Sequence, residues 1–356
     1  MKLCLLGGFL GSGKTTAIAT AGKLLLRKNV AFGAVVNDQG DQLVDSAFIN
    51  SLNIPQKQVT NGCFCCRYDE FYSALQDVKH TVQADIIFAE AVGSCADLVA
   101  TIVNPLLQFE PGIKIVLSVF ADAGVLLSSI QERSSFTSES VQYLYKKQLE
   151  EADILVVNKS DTLVRDEILQ IRSILETEFP GKILLFQNSL KEKSIEEWLE
   201  MIDNLTFDER STINIDYEKY AAGEAALAWF DAQIVVRSKA DAITKGLALM
   251  NSVYHAILDQ PLPVGHLKFF LKSDNWQKKF SYTATSKPGD RELENNVSAD
   301  QVSILINARV ETDPDLLQQI ILKAIKNSEG QNCHIDLLDV ASFQPGYPTP
   351  THRLAF

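Results

Sequence analysis

The chain has 356 residues, 46% hydrophobic and 22% charged, with a formal net charge of -12. This is a globular composition with length enough for two cores. The acidic balance argues against nucleic acid as a partner, since phosphate backbones are bound by neutralising cations, and no run of 18 apolar residues suggests a membrane span.

The apolar first residues are not expected to be a signal peptide, because a phosphate-binding motif begins inside them. Residues 1–6 read as a buried strand and 14–28 as a helix. Between them lies Gly8-Phe-Leu-Gly-Ser-Gly-Lys14-Thr15-Thr16. Glycines at this spacing let backbone N–H groups curl around a polyphosphate, and the helix start adds partial positive charge. Lys14 would reach the β- and γ-phosphates and the Thr15 hydroxyl would hold Mg²⁺. A chance match is expected in roughly one chain in seventy of this length, and the strand and helix around it make chance rarer still.

Residues 30–36 form a second apolar strand that runs into Asn37-Asp38-Gln39-Gly40-Asp41. Acidic loops after strands are commonly solvated turns. In an open α/β sheet, however, ligands bind beyond the carboxyl ends of strands, so this loop is expected to act as a switch near the γ-phosphate. Next comes Gly62-Cys63-Phe64-Cys65-Cys66, three of the six cysteines within four positions. Thiols this dense do not suggest a disulfide framework. They suit Zn²⁺ or another late transition ion in a reducing cytoplasm, ahead of a redox cluster or a packing coincidence. A local triplet leaves a fourth place to be filled from elsewhere.

Residues 68–81 read as a helix with Phe71, Leu75 and Val78 on one face. The strand at 84–89 delivers Glu90, followed by Ala91-Val92-Gly93-Ser94-Cys95-Ala96-Asp97. A carboxylate at this place binds Mg²⁺ through water or orients the attacking water. Gly93 is placed to offer an N–H to the γ-phosphate. A lone cysteine is usually a small core residue, yet Cys95, two residues on, is a candidate fourth metal ligand. A strand at 113–121 ends at Asp122, 138–151 is helical, and the strand at 152–157 leads into Asn158-Lys159-Ser160-Asp161. N-K-x-D reads guanine: its carboxylate accepts from N1–H and N2–H₂, which adenine does not offer. A sixth strand at 182–186 puts residues 188–190 within reach of the base edge, and a helix at 194–202 closes the domain.

Residues 206–216 read as a linker and 217–230 as a helix. Strands at 232–237, 267–271, 279–283, 302–310 and 334–340 follow, with helices at 241–258 (Leu247, Met250 and Tyr254 on one side) and 314–326. Residues 287–300 read as a charged loop. This order suggests a ferredoxin-like β-α-β-β-α-β sandwich, and the proline-rich stretch 345–353 is expected to be extended. The expected division is 1–205, 206–216 and 217–356. His80, His255, His266, His334 and His352 are scattered without ligand-like spacing.

In this order, GGFLGSGKTT, an N-[DE]-x-G loop, GC-x-CC, E-x-x-G and NKSD resemble the CobW family of P-loop GTPases, relatives of the nickel-insertion GTPases HypB and UreG. The resemblance is close over 1–205 and holds in outline beyond. It implies an α/β P-loop GTPase domain with a doubly wound, mostly parallel sheet, plus a smaller α+β ferredoxin-like domain. It also implies GTP hydrolysis to GDP coupled to delivery of zinc or cobalt to a client protein. By motif, Gly11, Ser12, Gly13, Lys14, Thr15, Thr16 and Gly93 would bind phosphates, with Thr15 and Glu90 at Mg²⁺ and Lys14, Glu90 and Asp38 in the catalytic roles. Cys63, Cys65 and Cys66 would bind the metal, and Asn158, Lys159 and Asp161 the guanine.

Three departures stand out. Asp38 replaces a common Glu, Gly-Ser-Cys-Ala-Asp replaces Gly-Leu-Ala-Asp-Pro, and no His-rich insertion is present. The competing readings are a GTPase that helps assemble a corrinoid-dependent or other cofactor enzyme without carrying metal, and a small-molecule kinase, which N-K-x-D disfavours. A GTP-dependent homodimer is a further implication of the resemblance.

Overall fold

Short apolar runs alternate with amphipathic helices through the first two hundred residues, the pattern of parallel strands joined by helical crossovers. The computed structural model describes residues 1–40, 44–131, 133, 135–205, 210–286 and 297–355. Asp41, the start of the expected linker (206–209) and most of the expected charged loop (287–296) lie outside the described residues. The chain divides into two units, Met1–Gln39, Ile49–Gly223 and Tyr347–Phe356 forming one, Gly40–Phe48 and Glu224–Gly346 the other.

The elements up to residue 225 are β1 (Lys2–Gly7), α1 (Lys14–Arg27), β2 (Phe32–Asn37), α2 (Val44–Ser51), β3 (Gln56–Val59), α3 (Tyr68–Val82), β4 (Ile86–Glu90), α4 (Asn104–Phe109), β5 (Lys114–Asp122), α5 (Ala123–Ile130), α6 (Glu139–Glu150), β6 (Ile154–Asn158), α7 (Arg165–Glu178), β7 (Ile183–Gln187), α8 (Glu192–Asn204) and α9 (Tyr217–Ala225). Among the described residues of the first unit, seven strands form one sheet in the order β3-β2-β4-β1-β5-β6-β7. Every pairing is parallel. The central strands are buried on both faces, which explains their unbroken apolar sequence. Strand β3, Gln-Lys-Gln-Val, lies at an edge with Lys57 and Gln58 exposed. It therefore carries no apolar run, and nothing in its sequence marks it as a strand. Within the expected linker, Arg210 is not solvated: its guanidinium pairs with the buried Asp153 at 2.8 Å and reaches the Ile115 carbonyl.

The second unit contains β8 (Leu227–Arg237), α10 (Ala242–Leu258), β9 (Val264–Ser273), β10 (Trp276–Thr283), β11 (Gln301–Glu311), α11 (Pro314–Asn327) and β12 (His334–Phe343). Its antiparallel sheet has the order β10-β9-β11-β8-β12. Without the edge strand β10 this is the ferredoxin-like order. The helix expected at 217–230 stops at Ala225, and Leu227–Phe230 belong to β8. The Ala-rich stretch has helical propensity, but β8 is buried between β11 and β12, and pairing there outweighs propensity. Leu247, Met250 and Tyr254 of α10 face the core as expected.

Residues on the other register of this sheet bind the segment that follows the acidic loop. Asn307 accepts from the Val44 N–H at 2.9 Å and donates to Asp231. The wholly buried Arg309 also pairs with Asp231, its guanidinium 3.9 Å above the Trp229 ring. His266, buried on β9, lies opposite Arg309 in the strand register. Asp45 accepts from Lys268 at 2.5 Å and Lys279 at 2.6 Å. Burial alone pushes the Asp45 carboxyl up, but the two ammonium groups overcome this and hold it well below the usual range.

Removing one member of a buried ion cluster strands the others. Asp45→Ala is expected to destabilise the second unit by about 3 kcal/mol at neutral pH, read as faster hydrogen exchange of the β9 and β11 amides. Because the native pKa is depressed, the contribution is present above pH ~4 and fades only as the pH falls towards the native value. The variant therefore converges on the wild type in acid.

Candidate nucleotide and thiol site

Parallel pairing brings the carboxyl ends of the strands to one edge of the sheet. The glycine loop follows β1, Asn37 and Asp38 end β2, the thiol loop follows β3, Glu90 ends β4, Asp122 ends β5 and Asn158 ends β6. Gly8, Gly11 and Gly13 have φ of +114°, +74° and +97°. A Cβ at Gly8 would lie 2.1 Å from the Phe120 carbonyl oxygen, and one at Gly13 would lie 2.2 Å from the Asn158 amide. Glycine is thus required there by both conformation and space. The Lys14 ammonium is buried and folds back over its own loop, 2.6 Å from the Gly8 carbonyl and 3.2 Å from that of Phe9. Thr15 Oγ1 donates to Glu90 Oε1 at 2.9 Å, so hydroxyl and carboxylate already meet. Ser12 is buried, whereas Gly11 and Thr16 are half-buried. Gly93 packs against Leu10 so closely that a Cβ there would meet its side chain at 2.6 Å.

On the guanine-motif side, the Asn158 amide is engaged by the protein. It donates to the Ser12 carbonyl at 2.7 Å and accepts from the Ser189 N–H and hydroxyl at 2.9 Å each. It fastens the glycine loop to residues 188–190. Lys159, at φ +60°, donates to Asp122 at 2.5 Å. Asp122 also caps α5 through the Gly124 and Val125 N–H groups. Asp161 is exposed in a short 3₁₀ turn, Ser160–Thr162.

The thiols converge. The sulfurs of Cys63 and Cys65 are 2.7 Å apart, those of Cys63 and Cys66 3.3 Å, and those of Cys65 and Cys66 3.8 Å. The Cys95 thiol bonds to both Cys63 and Cys65, so a residue 29 positions after Cys66 stands beside two of the three. Bonds of ~2.3 Å to a tetrahedral ion imply sulfur–sulfur edges of roughly 3.8 Å, so the Cys63, Cys65 and Cys66 triplet suits three corners of such a site once its shorter edges open. Cys63, Cys65 and Cys95 are buried and Cys66 is half-exposed. Hydrogen bonds from Cys65, Cys66 and Cys95 hold the Cys63 thiol well below its usual pKa. The same bonds, given to Cys63, push Cys65 up and Cys66 to about 11. The group thus favours one thiolate, solvated by the other thiols, which is a starting point for metal capture.

Asn37 anchors this loop, a role that no local spacing in the sequence signals. Its amide donates to the carbonyls of Val59 at 3.0 Å and Gly62 at 2.8 Å, and accepts from the Phe64 N–H at 2.9 Å. Phe64 in turn packs on Phe71 of α3, ring centroids 4.2 Å apart. Asp38, half-buried beside Asn37, accepts from the Gln39 N–H at 2.8 Å. The Glu90–Asp97 segment is held from behind: Gln148 donates to the Gly93 carbonyl at 2.9 Å and the Cys95 carbonyl at 2.8 Å. Asp97, wholly buried with φ +65°, accepts from the Tyr217 hydroxyl and from Arg353, each at 2.7 Å. Glu151 accepts from the Val99 N–H at 3.0 Å. Burial, with a smaller contribution from Asp97, pushes its carboxyl up to about 8 against the pull of backbone N–H groups.

A family model described as "CobW/HypB/UreG, nucleotide-binding domain" matches residues 2–180. Among curated proteins, the zinc chaperone CobW of Pseudomonas aeruginosa is 23% identical over 220 residues, covering 53% of this chain and 56% of that protein. The Escherichia coli zinc chaperone YeiR is 29% identical over 163 residues, covering 44% and 46%. The chain thus spans about half the length of the curated relatives it matches. Among solved structures, HypB from Helicobacter pylori in complex with nickel aligns with a TM-score of 0.43 and 16% identity, over 58% of this chain and 90% of that one.

The raised Glu151 pKa has a signed consequence. An acid whose folded pKa exceeds its unfolded value costs stability as the pH rises between the two, here from about 4.5 to about 8. Glu151→Gln keeps the acceptor for Val99 and removes the charge. Its melting temperature is expected to match the wild type near pH 5 and to exceed it by a few degrees near pH 8, measured by calorimetry across that range.

Proposed function

Because the chain belongs to the CobW/HypB/UreG family, matched over residues 2–180, we propose that it is a GTP-hydrolysing metallochaperone that carries zinc, or else cobalt, on its thiols and hands the ion to a client protein. The observation that carries this reading is the origin of the thiol nest. One loop, fastened by Asn37 at the end of β2, holds three sulfurs together, and the segment after Glu90 brings Cys95, the candidate fourth ligand, beside two of them. Asn37 begins the acidic loop, and that loop and the Glu90–Asp97 segment are the two that a γ-phosphate would order. Zinc is placed first because a sulfur set suits it and because the curated relatives are named as zinc chaperones. All six cysteines are free thiols, in keeping with a reducing compartment such as the cytoplasm.

In this reading the N–H groups of residues 11–16 cradle the phosphates of GTP, and Lys14 leaves the Gly8 and Phe9 carbonyls for the β- and γ-phosphates. Thr15 and Glu90 are the residues that would hold Mg²⁺, which supplies neutralisation of phosphate charge when bound. Glu90 and Asp38 orient the attacking water, Gly93 offers its N–H to the γ-phosphate, and Asp161 accepts from guanine. Gly93 and Cys95 share the Gln148 amide, so a shift of Gly93 with nucleotide state is passed to Cys95. Four sulfurs about the ion become three, and three bind more weakly than four.

Two measurements test this. Zn²⁺ or Co²⁺ affinity is expected to differ at least about tenfold between the GDP-bound protein and the protein with a non-hydrolysable GTP analogue, and Cys95→Ser is expected to abolish that difference while leaving residual binding. Equal affinities in the two nucleotide states sink the coupling. Separately, phosphate release from GTP is expected to fall about a hundredfold in Thr15→Ala. A phosphorylated metabolite in place of free phosphate would mark the protein as a kinase instead.

A further inference from the structure

The proline-rich segment after β12 has no part in the function described so far, yet it is applied to the thiol site. The Thr351 N–H donates to the Cys65 carbonyl at 2.9 Å, and its hydroxyl donates to the Cys66 carbonyl at 3.3 Å. Arg353 donates through Nε to Asp97, two residues past Cys95. Between these contacts, the His352 ring stands edge-on to Tyr68, the first residue of α3, centroids 4.9 Å apart. The local sequence explains the pattern. Pro348 and Pro350 have no N–H and keep the backbone extended. Thr351, the first residue after them, is left to donate from its backbone, while Arg353, two residues on, reaches Asp97 with its side chain. One short strap touches both segments that contribute sulfurs, and it lies beside Cys66, the half-exposed thiol.

We propose that Thr351 and Arg353 are positioning residues of the metal site, holding the thiol loop and the Cys95 segment in one arrangement so that a bound ion is retained until the strap is lifted. The inference rests on the reading of the four thiols as a metal site. Its physics is that of groups behind a ligand. Bonds to the Cys65 and Cys66 carbonyls remove backbone freedom that the loop would need to turn its sulfurs away. The Arg353–Asp97 pair restrains the other half of the sulfur set. The strap is exposed to solvent on its outer side at Thr349, Thr351 and Arg353, so a client protein can reach it without opening a core.

The test uses the full chain loaded with Co²⁺, whose thiolate charge-transfer absorption reports the sulfur set, and follows release of the ion to a chelator in excess. Three variants are compared with the wild type. Arg353→Ala removes the link to Asp97, Arg353→Lys keeps the charge, and Thr351→Pro removes the N–H while preserving an extended backbone. Arg353→Ala and Thr351→Pro are expected to release Co²⁺ about tenfold faster with an altered charge-transfer band, and Arg353→Lys to restore part of the wild-type rate. The two substitutions break different contacts, one to the thiol loop and one to Asp97, so where one variant shows a folding defect in its thermal melt the other decides. Wild-type rates and spectra in Thr351→Pro and Arg353→Ala would overturn the strap and leave the metal site standing. A wild-type chain with no charge-transfer band, indistinguishable from Cys65→Ser, would remove the metal site and the strap together.

Discussion

Parallel strand pairing is the constraint on which the site depends. Each strand of the first unit runs the same way, so each crossover returns the chain to the same edge. Residues separated by a hundred positions become neighbours without any contact designed between them. The glycine loop, Asn37, the thiol loop, Glu90, Asp122 and Asn158 are strand ends before they are site residues. Antiparallel pairing at any of these strands would carry its loop to the opposite edge and dissolve the constellation. The second unit is antiparallel throughout, and among the described residues it supplies no comparable cluster of motifs.

Within that frame, side-chain amides do much of the fastening. Asn37 ties the thiol loop to β2, Asn158 ties the glycine loop to residues 188–190, and Gln148 holds the carbonyls of Gly93 and Cys95. An amide suits this work because it offers both donor and acceptor and carries no charge. Buried between loops, a charged group would add a desolvation cost and a pH dependence. The same economy leaves the charged residues Lys14, Glu90 and Asp38 at the points where phosphate and its counter-ion are expected. The thiols follow a related logic. Burial disfavours charge on each sulfur, and mutual hydrogen bonding returns it to one of them, Cys63.

The legible part of the chain was the part in which local pattern and chemistry coincide. The glycine loop, the thiol triplet and N-K-x-D each pack a rare residue combination into a few positions between an apolar run and a helix. The buried strands declared themselves by unbroken hydrophobicity. Strand β3 did not, because an edge strand with solvent on one side needs no apolar run. The junction at 217–230 was misread because Ala, Leu, Trp and Phe are compatible with either period, and the sheet decided between them. Asn37 and Gln148 gave no signal, since a buried amide with distant partners has no spacing by which to be found.

The amino-acid sequence by itself determined the chemistry at each strand end: which loops hold glycine and lysine, which hold thiols, which hold carboxylates, and hence the family. These are properties of residue type and near-neighbour spacing, and they survive without knowledge of the fold. Only the tertiary structure decided which of those ends meet. It brought Cys95 to the cysteine triplet, turned a proline-rich stretch into a strap across both, and buried Asp45 between two lysines, because such contacts depend on long-range pairing and packing that no local window of residues contains.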